Sequence, residues 1–270
     1  MKSLNADFFK TMRDGAVAYA ASRDDLELVC VGTDSQTEVE RQIELVDDLV
    51  RQRVDAIVLV PIDSKALVRP AVDAVKAGVD VVNIDIKLDD DLLDEAGVKI
   101  PFAGPDNFEA AYKVSQRLAS MLREGDEVAV IEGLPSADNA KQRREGALKA
   151  IAEKHLKVVA SVPADWETDD ARKAFAGIWD ANPALKAVFC GNDAMALGVL
   201  REMEARGNYL PVAGFDNDAV MKPYLDDGRL VGTVDIFSSK MAVEGIEYAI
   251  RILNKQLAME GTYPTPYELV

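Results

Sequence analysis

The residues best placed for chemistry stand at the ends of short apolar runs: Asp85 closes VNID, Asn192 and Asp193 follow VFCG, and Asp216 follows VAGF. If each run is a strand of a parallel sheet, these side chains gather at carboxyl tips, where ligands of open α/β sheets bind. Carboxylates accept from hydroxyls, amides both donate and accept, and an arginine donates in a planar fork. With aromatic rings to cover apolar C–H faces, such a set suits a polyhydroxylated molecule. Asp193 has a second use, as the cap of the helix that AMALGVL begins.

Other chemistries lack their residues. The one histidine, His155, lies in the polar helix end AEKHLK and reads as solvated. Cys30 and Cys190 each close an apolar run, LELVC and KAVFC, as small buried thiols with no disulfide between them. No metal cluster of recognisable spacing and no Ser-His-Asp arrangement can be drawn from these residues. Neither GxxxxGK[ST] nor a GxGxxG after a strand occurs, so nucleotide phosphate has no cradle. We expect no metal and no cofactor.

The elements that must position the polar tips are legible as a rhythm. Apolar, β-branched runs recur at 26–31, 56–61, 79–84, 127–132, 157–162, 187–190 and 212–215. Stretches of helical period separate them, such as Val39, Ile43, Val46 and Val50. Alternating strand and helix predicts an α/β fold, a parallel sheet covered on both faces. The acidic run of residues 89–95 interrupts the rhythm as a solvated face, and Pro105 before a helix start at Asp106 marks a domain crossing. The two halves share one layout, a series of βα units.

The 270 residues allow one large domain or two ordinary ones. A formal charge of −16 argues against a nucleic-acid backbone or an anionic membrane as main partner; a neutral or cationic ligand fits better. No apolar run is long enough to span a membrane, and no basic stretch followed by an apolar run opens the sequence as a signal peptide would.

Phe8 and Phe9 open a helix that only four residues, Met1 to Leu4, could precede as a strand, too few for the usual length. Every other helix of this half follows a strand. The strand feeding this helix is therefore expected upstream of Met1, in a longer polypeptide, and the closing YELV reads as the start of another strand.

In order along the chain, KSLNADFF, VNIDIKLD, EVAVIEG, QRREG, VPADW, VFCGNDAMALG and VAGFDN resemble the periplasmic sugar-binding proteins of the ribose- and allose-binding family. The resemblance runs from Lys2 to nearly the end. It implies two doubly wound lobes joined by a three-strand hinge: residues 1–103 with 237–265, and residues 104–236 with 266–270. The crossovers would fall near 102–105, 235–237 and 264–266, with a sugar in the cleft above them. Carried over by position, Phe8, Phe9 and Trp166 match the aromatics that face the sugar, and Lys2 a lysine of the allose-like members. Asp85, Arg143, Asn192 and Asp216 match the hydrogen-bonding set. Adjacent helical residues point about 100° apart, so one of Phe8 and Phe9 is expected in the core, whereas Trp166 between Asp165 and Glu167 reads as a ligand contact.

Three positions depart from the family pattern: Ala6 where asparagine is usual, Ile86 where ribose binders carry arginine, and Ile236 where glutamine is usual. Each exchange removes a polar partner, which disfavours ribose itself and leaves open a deoxy or amino sugar, or a polyol. The resemblance implies a monomeric solute-binding protein, periplasmic or lipid-anchored, that delivers a monosaccharide or polyol to the membrane subunits of an ABC importer. The alternative is the effector-binding core of a lactose-repressor-family regulator.

Overall fold

A computed structural model describes all 270 residues. The chain forms two compact units: residues 1–105, 136–138 and 237–266 make the first, and residues 106–135, 139–236 and 267–270 the second. In chain order the elements are α1 (Asp7–Ala21), α2 (Val39–Arg51), β1 (Ala56–Leu59), α3 (Val68–Lys76), β2 (Asp80–Ile84), α4 (Asp90–Glu95) and β3 (Phe102–Gly104). There follow α5 (Asn107–Ser120), β4 (Glu127–Glu132), α6 (Asp138–Glu153), β5 (Lys157–Pro163), α7 (Thr168–Ala181), β6 (Leu185–Cys190) and α8 (Asp193–Arg206). The chain ends with β7 (Val212–Ala213), α9 (Lys222–Asp226), β8 (Leu230–Gly232), β9 (Val234–Asp235), α10 (Ser238–Leu253), β10 (Thr262–Pro264) and β11 (Glu268–Leu269).

The sheet of the first unit is parallel throughout, in the order β1-β2-β3-β10. One face carries the apolar stripe of α10, with Met241, Ile246 and Ala249 buried. The other is covered by α2 and α3, whose Val46, Leu67, Val68 and Ala71 join Ile57, Leu59 and Val81 in one core cluster. A strand buried along its length, as VVNI is, is stable only when covered on both faces, as here.

The second unit holds a five-stranded parallel sheet in the order β5-β4-β6-β7-β8. That is the doubly wound 2-1-3-4-5 arrangement, with β4 inside and both its edges paired. A separate antiparallel pair joins β9 to β11, Glu268 opposite Asp235. Three helices begin on polar caps: Asp89, Asp106 and Asn192 each accept from the amide three residues on. Helix α8 ends on Gly207, whose φ of +64° suits a residue without Cβ.

The structure corrects the strand expected at 26–31. That segment forms no ladder, because neither side offers it a strand to pair with, and the apolar Val29 is left 43% exposed. Cys30 is consequently half-buried rather than buried, while Cys190 on β6 is fully enclosed, and both are free thiols. The run expected at 212–215 shortens to two residues because Phe215 turns its amide to the Asp193 carboxylate at 3.0 Å. No helix is long and apolar enough to cross a membrane.

Candidate functional site

In the second unit the centre of the arrangement is Arg143 on α6, only 3% exposed. A guanidinium cannot lose its charge, so its burial demands partners. Nε donates to Asn107 Oδ1 at 2.8 Å, and Nη1 donates to the Gly191 carbonyl at 2.9 Å and to Asp216 Oδ1 at 3.2 Å. Asp216, its side chain 6% exposed, neutralises the charge. The guanidinium lies 3.7 Å from the centroid of the Phe215 ring and 5.5 Å from that of Trp166, a stacking that Arg sustains and Lys does not. Three of its five donors are thereby committed, and the Nη2 pair remains for an incoming oxygen.

Backbone strain sits beside these groups. Asp165, Trp166, Asp216 and Asn217 all have positive φ, a region that costs a residue with Cβ of order 1–3 kcal/mol. Trp166 is buried against the floor of the β4 turn, where a Cβ on Gly133 would meet its ring at 2.2 Å. Only a glycine lets that indole lie flat there.

Two assignments at β6 change places. The cap of α8 is Asn192, whose Oδ1 accepts from the Met195 amide at 2.9 Å, not Asp193 as expected. This commits the Asn192 oxygen and leaves its Nδ2 to donate. Asp193 is fully buried and turns the other way, accepting from the amides of Phe215 and Asp218 and from the Thr233 hydroxyl. Burial, reinforced by the nearby Asp218, raises its carboxyl to about 8. Its role is to hold the loop that presents Phe215 and Asp216.

In the first unit, Asp85 is buried at the tip of β2 with φ +65°, its amide donating to the Ala103 carbonyl at 3.1 Å. The turn is pinned by Asn83, which donates to the Ile86 carbonyl at 2.7 Å and accepts from the Leu88 amide at 2.8 Å. Phe8 and Phe9 are both buried, packed edge to face with centroids 5.0 Å apart, and the buried Lys2 ammonium lies 5.5 Å from the Phe9 ring. Of the three apolar replacements, Ile86 and Ile236 are buried and Ala6 is partly exposed.

The structure thus brings Arg143, Asp216 and Trp166 together in one unit, and Lys2, Phe8 and Phe9 in the other. Sequence reasoning missed Asn107, Asn83 and Phe215. Phe215 was adjacent to a residue already singled out, whereas Asn107 was signalled only by a polar residue following a helix cap just past a strand. No group of His, Cys, Asp or Glu side chains is placed to hold a metal ion.

The family profile of the periplasmic binding protein domain matches residues 1–257. The chain belongs to that family. Among relatives of this periplasmic binding protein, the D-ribose/D-allose-binding protein of Pseudomonas aeruginosa is 40% identical over 276 residues, covering all of this chain and 86% of the relative. An ABC transporter solute-binding protein of Burkholderia multivorans, solved with an unknown ligand drawn as α-D-erythrofuranose, superposes with a TM-score of 0.97 at 39% identity, covering 100% of this chain and 96% of the other. A periplasmic solute-binding protein of Actinobacillus succinogenes with bound D-allose gives 0.92 at 33% identity, with 100% and 95% covered. The family is one of periplasmic sugar-binding transport proteins rather than enzymes.

Proposed function

We propose that this periplasmic binding protein captures a monosaccharide or related polyol and delivers it to the membrane subunits of an ABC importer, working as a monomer in the periplasm or tethered beside it by lipid. The observation that carries the reading is the buried Arg143, fixed by Asn107, Gly191 and Asp216 over the Phe215 ring. A sugar hydroxyl needs a donor and an acceptor at once, and this cluster offers both beside an aromatic face. The names and bound sugars of the relatives favour transport over the regulator core.

In this reading Arg143, Trp166, Asn192 and Asp216 take hydroxyls and one ring face, while Lys2, Phe8, Phe9 and Asp85 take the rest. Capture is a binding equilibrium in which no bond is made or broken. The apolar Ala6, Ile86 and Ile236 select against hydroxyls at those places by about 1–3 kcal/mol each. A sugar that lacks hydroxyls at those places is therefore favoured over D-ribose.

A melting-temperature screen of pentoses, hexoses, their deoxy and amino forms, and polyols tests this. One ligand should raise the midpoint saturably, and Arg143→Lys, which keeps the charge but not the planar fork, should weaken it by about 10- to 100-fold. A folded protein whose midpoint moves with none of these ligands would sink the proposal.

A further inference from the structure

One buried amide near Arg143 holds a polar atom with no partner in the protein. Asn139 is 4% exposed, about as enclosed as Arg143, Asp85 and Trp166 at 3% each, yet its Oδ1 accepts from no donor. An enclosed acceptor left unpaired costs more than an ordinary hydrogen bond contributes, and native proteins keep few of them. Ser115 and Thr265 also carry enclosed hydroxyls without a partner, but only Asn139 stands one helical turn from Arg143.

The fold gives that position a meaning. Asn139 lies in the first turn of α6, the helix that follows β4. Strand β4 runs between β5 and β6, where the winding of the sheet reverses and ligands of open α/β sheets bind. Asn139 and Arg143 both belong to the buried face of α6, and side chains so spaced leave a helix about 5–6 Å apart. Helical side chains lean toward the amino end, which carries the Arg143 fork over the turn that Asn139 occupies. The fork cannot swing to serve the Asn139 oxygen, because Asn107, Gly191 and Asp216 hold it through Nε and Nη1. Its Nη2 donors and the Asn139 acceptor are thus both uncommitted on one face. A hydroxyl group joins such a pair: its oxygen accepts from Nη2 while its hydrogen is donated to Oδ1.

Nothing in the helix itself asks for asparagine there. Asparagine is a poor helix former, and the other buried residues of that stretch include Ala140, Gly146 and Ala147, beside which alanine would leave no polar atom to desolvate. A residue that breaks the local rule without a gain to the fold is expected where function requires it.

We propose that Asn139 is a specificity-determining residue of the sugar site, holding one ligand hydroxyl between its Oδ1 and the Nη2 of Arg143. The pair favours monosaccharides or polyols that carry a hydroxyl at that place over the deoxy forms that lack it. The inference rests on the sugar-binding reading and deepens it: Ala6, Ile86 and Ile236 mark where a hydroxyl is selected against, and Asn139 marks where one is required.

The test is titration calorimetry of the full chain, of Asn139→Leu and of Asn139→Ala with D-ribose, D-allose, D-fucose and myo-inositol, then with the monodeoxy forms of whichever binds the parent most tightly. Both variants remove the acceptor, and Leu keeps the volume where Ala does not, so a folding defect in one leaves the other to be read. Each should bind that tightest sugar about 10-fold or more weakly, while one monodeoxy form, lacking the hydroxyl that meets Asn139, should bind parent and variants alike. The urea midpoint of ligand-free Asn139→Leu should equal or exceed the parent's, since the unpartnered oxygen is gone. Stability held while affinity falls is the signature of a group kept for a ligand. Variants that bind the tightest sugar as the parent does would overturn the role of Asn139 and leave the sugar reading standing. So would a lowered midpoint with weakening by one factor across the sugar and all its deoxy forms, the mark of a purely structural amide. A parent that binds none of these sugars would remove the sugar reading and this inference with it.

Discussion

Asp193 is not among the residues expected to meet a ligand, yet it holds the loop that bears one of them. Its fully enclosed carboxylate gathers the Phe215 and Asp218 amides and the Thr233 hydroxyl, and so fixes the loop bearing Asp216. Desolvation outweighs these donors and raises the group from 3.8 to about 8. The folded protein then keeps a proton over that interval that the unfolded chain has released. The stabilisation from this group is complete below the unfolded value and declines as pH rises toward the folded one, by at most about 1.4 kcal/mol per pH unit. Asp193→Asn removes the titration. Urea unfolding at several pH values between the two limits should therefore give a shallower fall in stability for the variant than for the parent. Parallel curves would mean that the carboxylate is ionised throughout. At this scale Asp85 and Asp216 could be read from sequence because each follows an apolar run. Asn107 could not, since the Arg143 it holds lies 36 residues away and nothing local announces the pairing.

Elements were legible wherever the pattern and the partner coincide. The run at 127–132 is β4 residue for residue, because an apolar strand there meets β5 and β6 on its two sides. Segment 26–31 carries as clear a pattern and forms no strand, because periodicity records which residues want burial but not whether a neighbouring backbone is present to pair. Caps show the same division. Asp106 was readable as a helix start, while the choice between Asn192 and Asp193 depended on the buried Thr233, far along the chain. Helix α1 begins on Ala6, which has the extended backbone of a cap, φ −76° and ψ 136°, but offers no side-chain acceptor. Ala6→Asn should supply one and stabilise the protein by about 0.5–2 kcal/mol. The measurement is the urea midpoint at unchanged m-value. An unmoved midpoint would mean that the new side chain makes no cap hydrogen bond to the first turn of α1.

Over the whole molecule, 47 acidic residues face 31 basic ones. Most of the ion pairs are local and exposed, such as Lys10 with Asp7 and Lys222 with Asp226, and pairs of that kind contribute little. The excess negative charge, by contrast, repels itself over distances that salt can shorten from about 30 Å at low ionic strength to about 8 Å at physiological strength. The melting temperature should accordingly rise as sodium chloride is added over that range. A fall would mean that the local pairs outweigh the net charge. The same titration separates two kinds of ligand. The Arg143–Asp216 pair is internally neutral and buried, so the affinity of an uncharged sugar should be flat in salt while the melting temperature of the free protein climbs. A cationic amino sugar would be drawn in by the surrounding field and should lose affinity as that field is screened. Binding isotherms at both ends of the salt range, measured beside the melting curves, therefore report the charge of the ligand from the slope alone: zero for a neutral sugar or polyol, falling for an amino sugar. A neutral ligand whose affinity fell with salt would show that capture depends on the acidic surface rather than on the buried arginine and its aromatic floor.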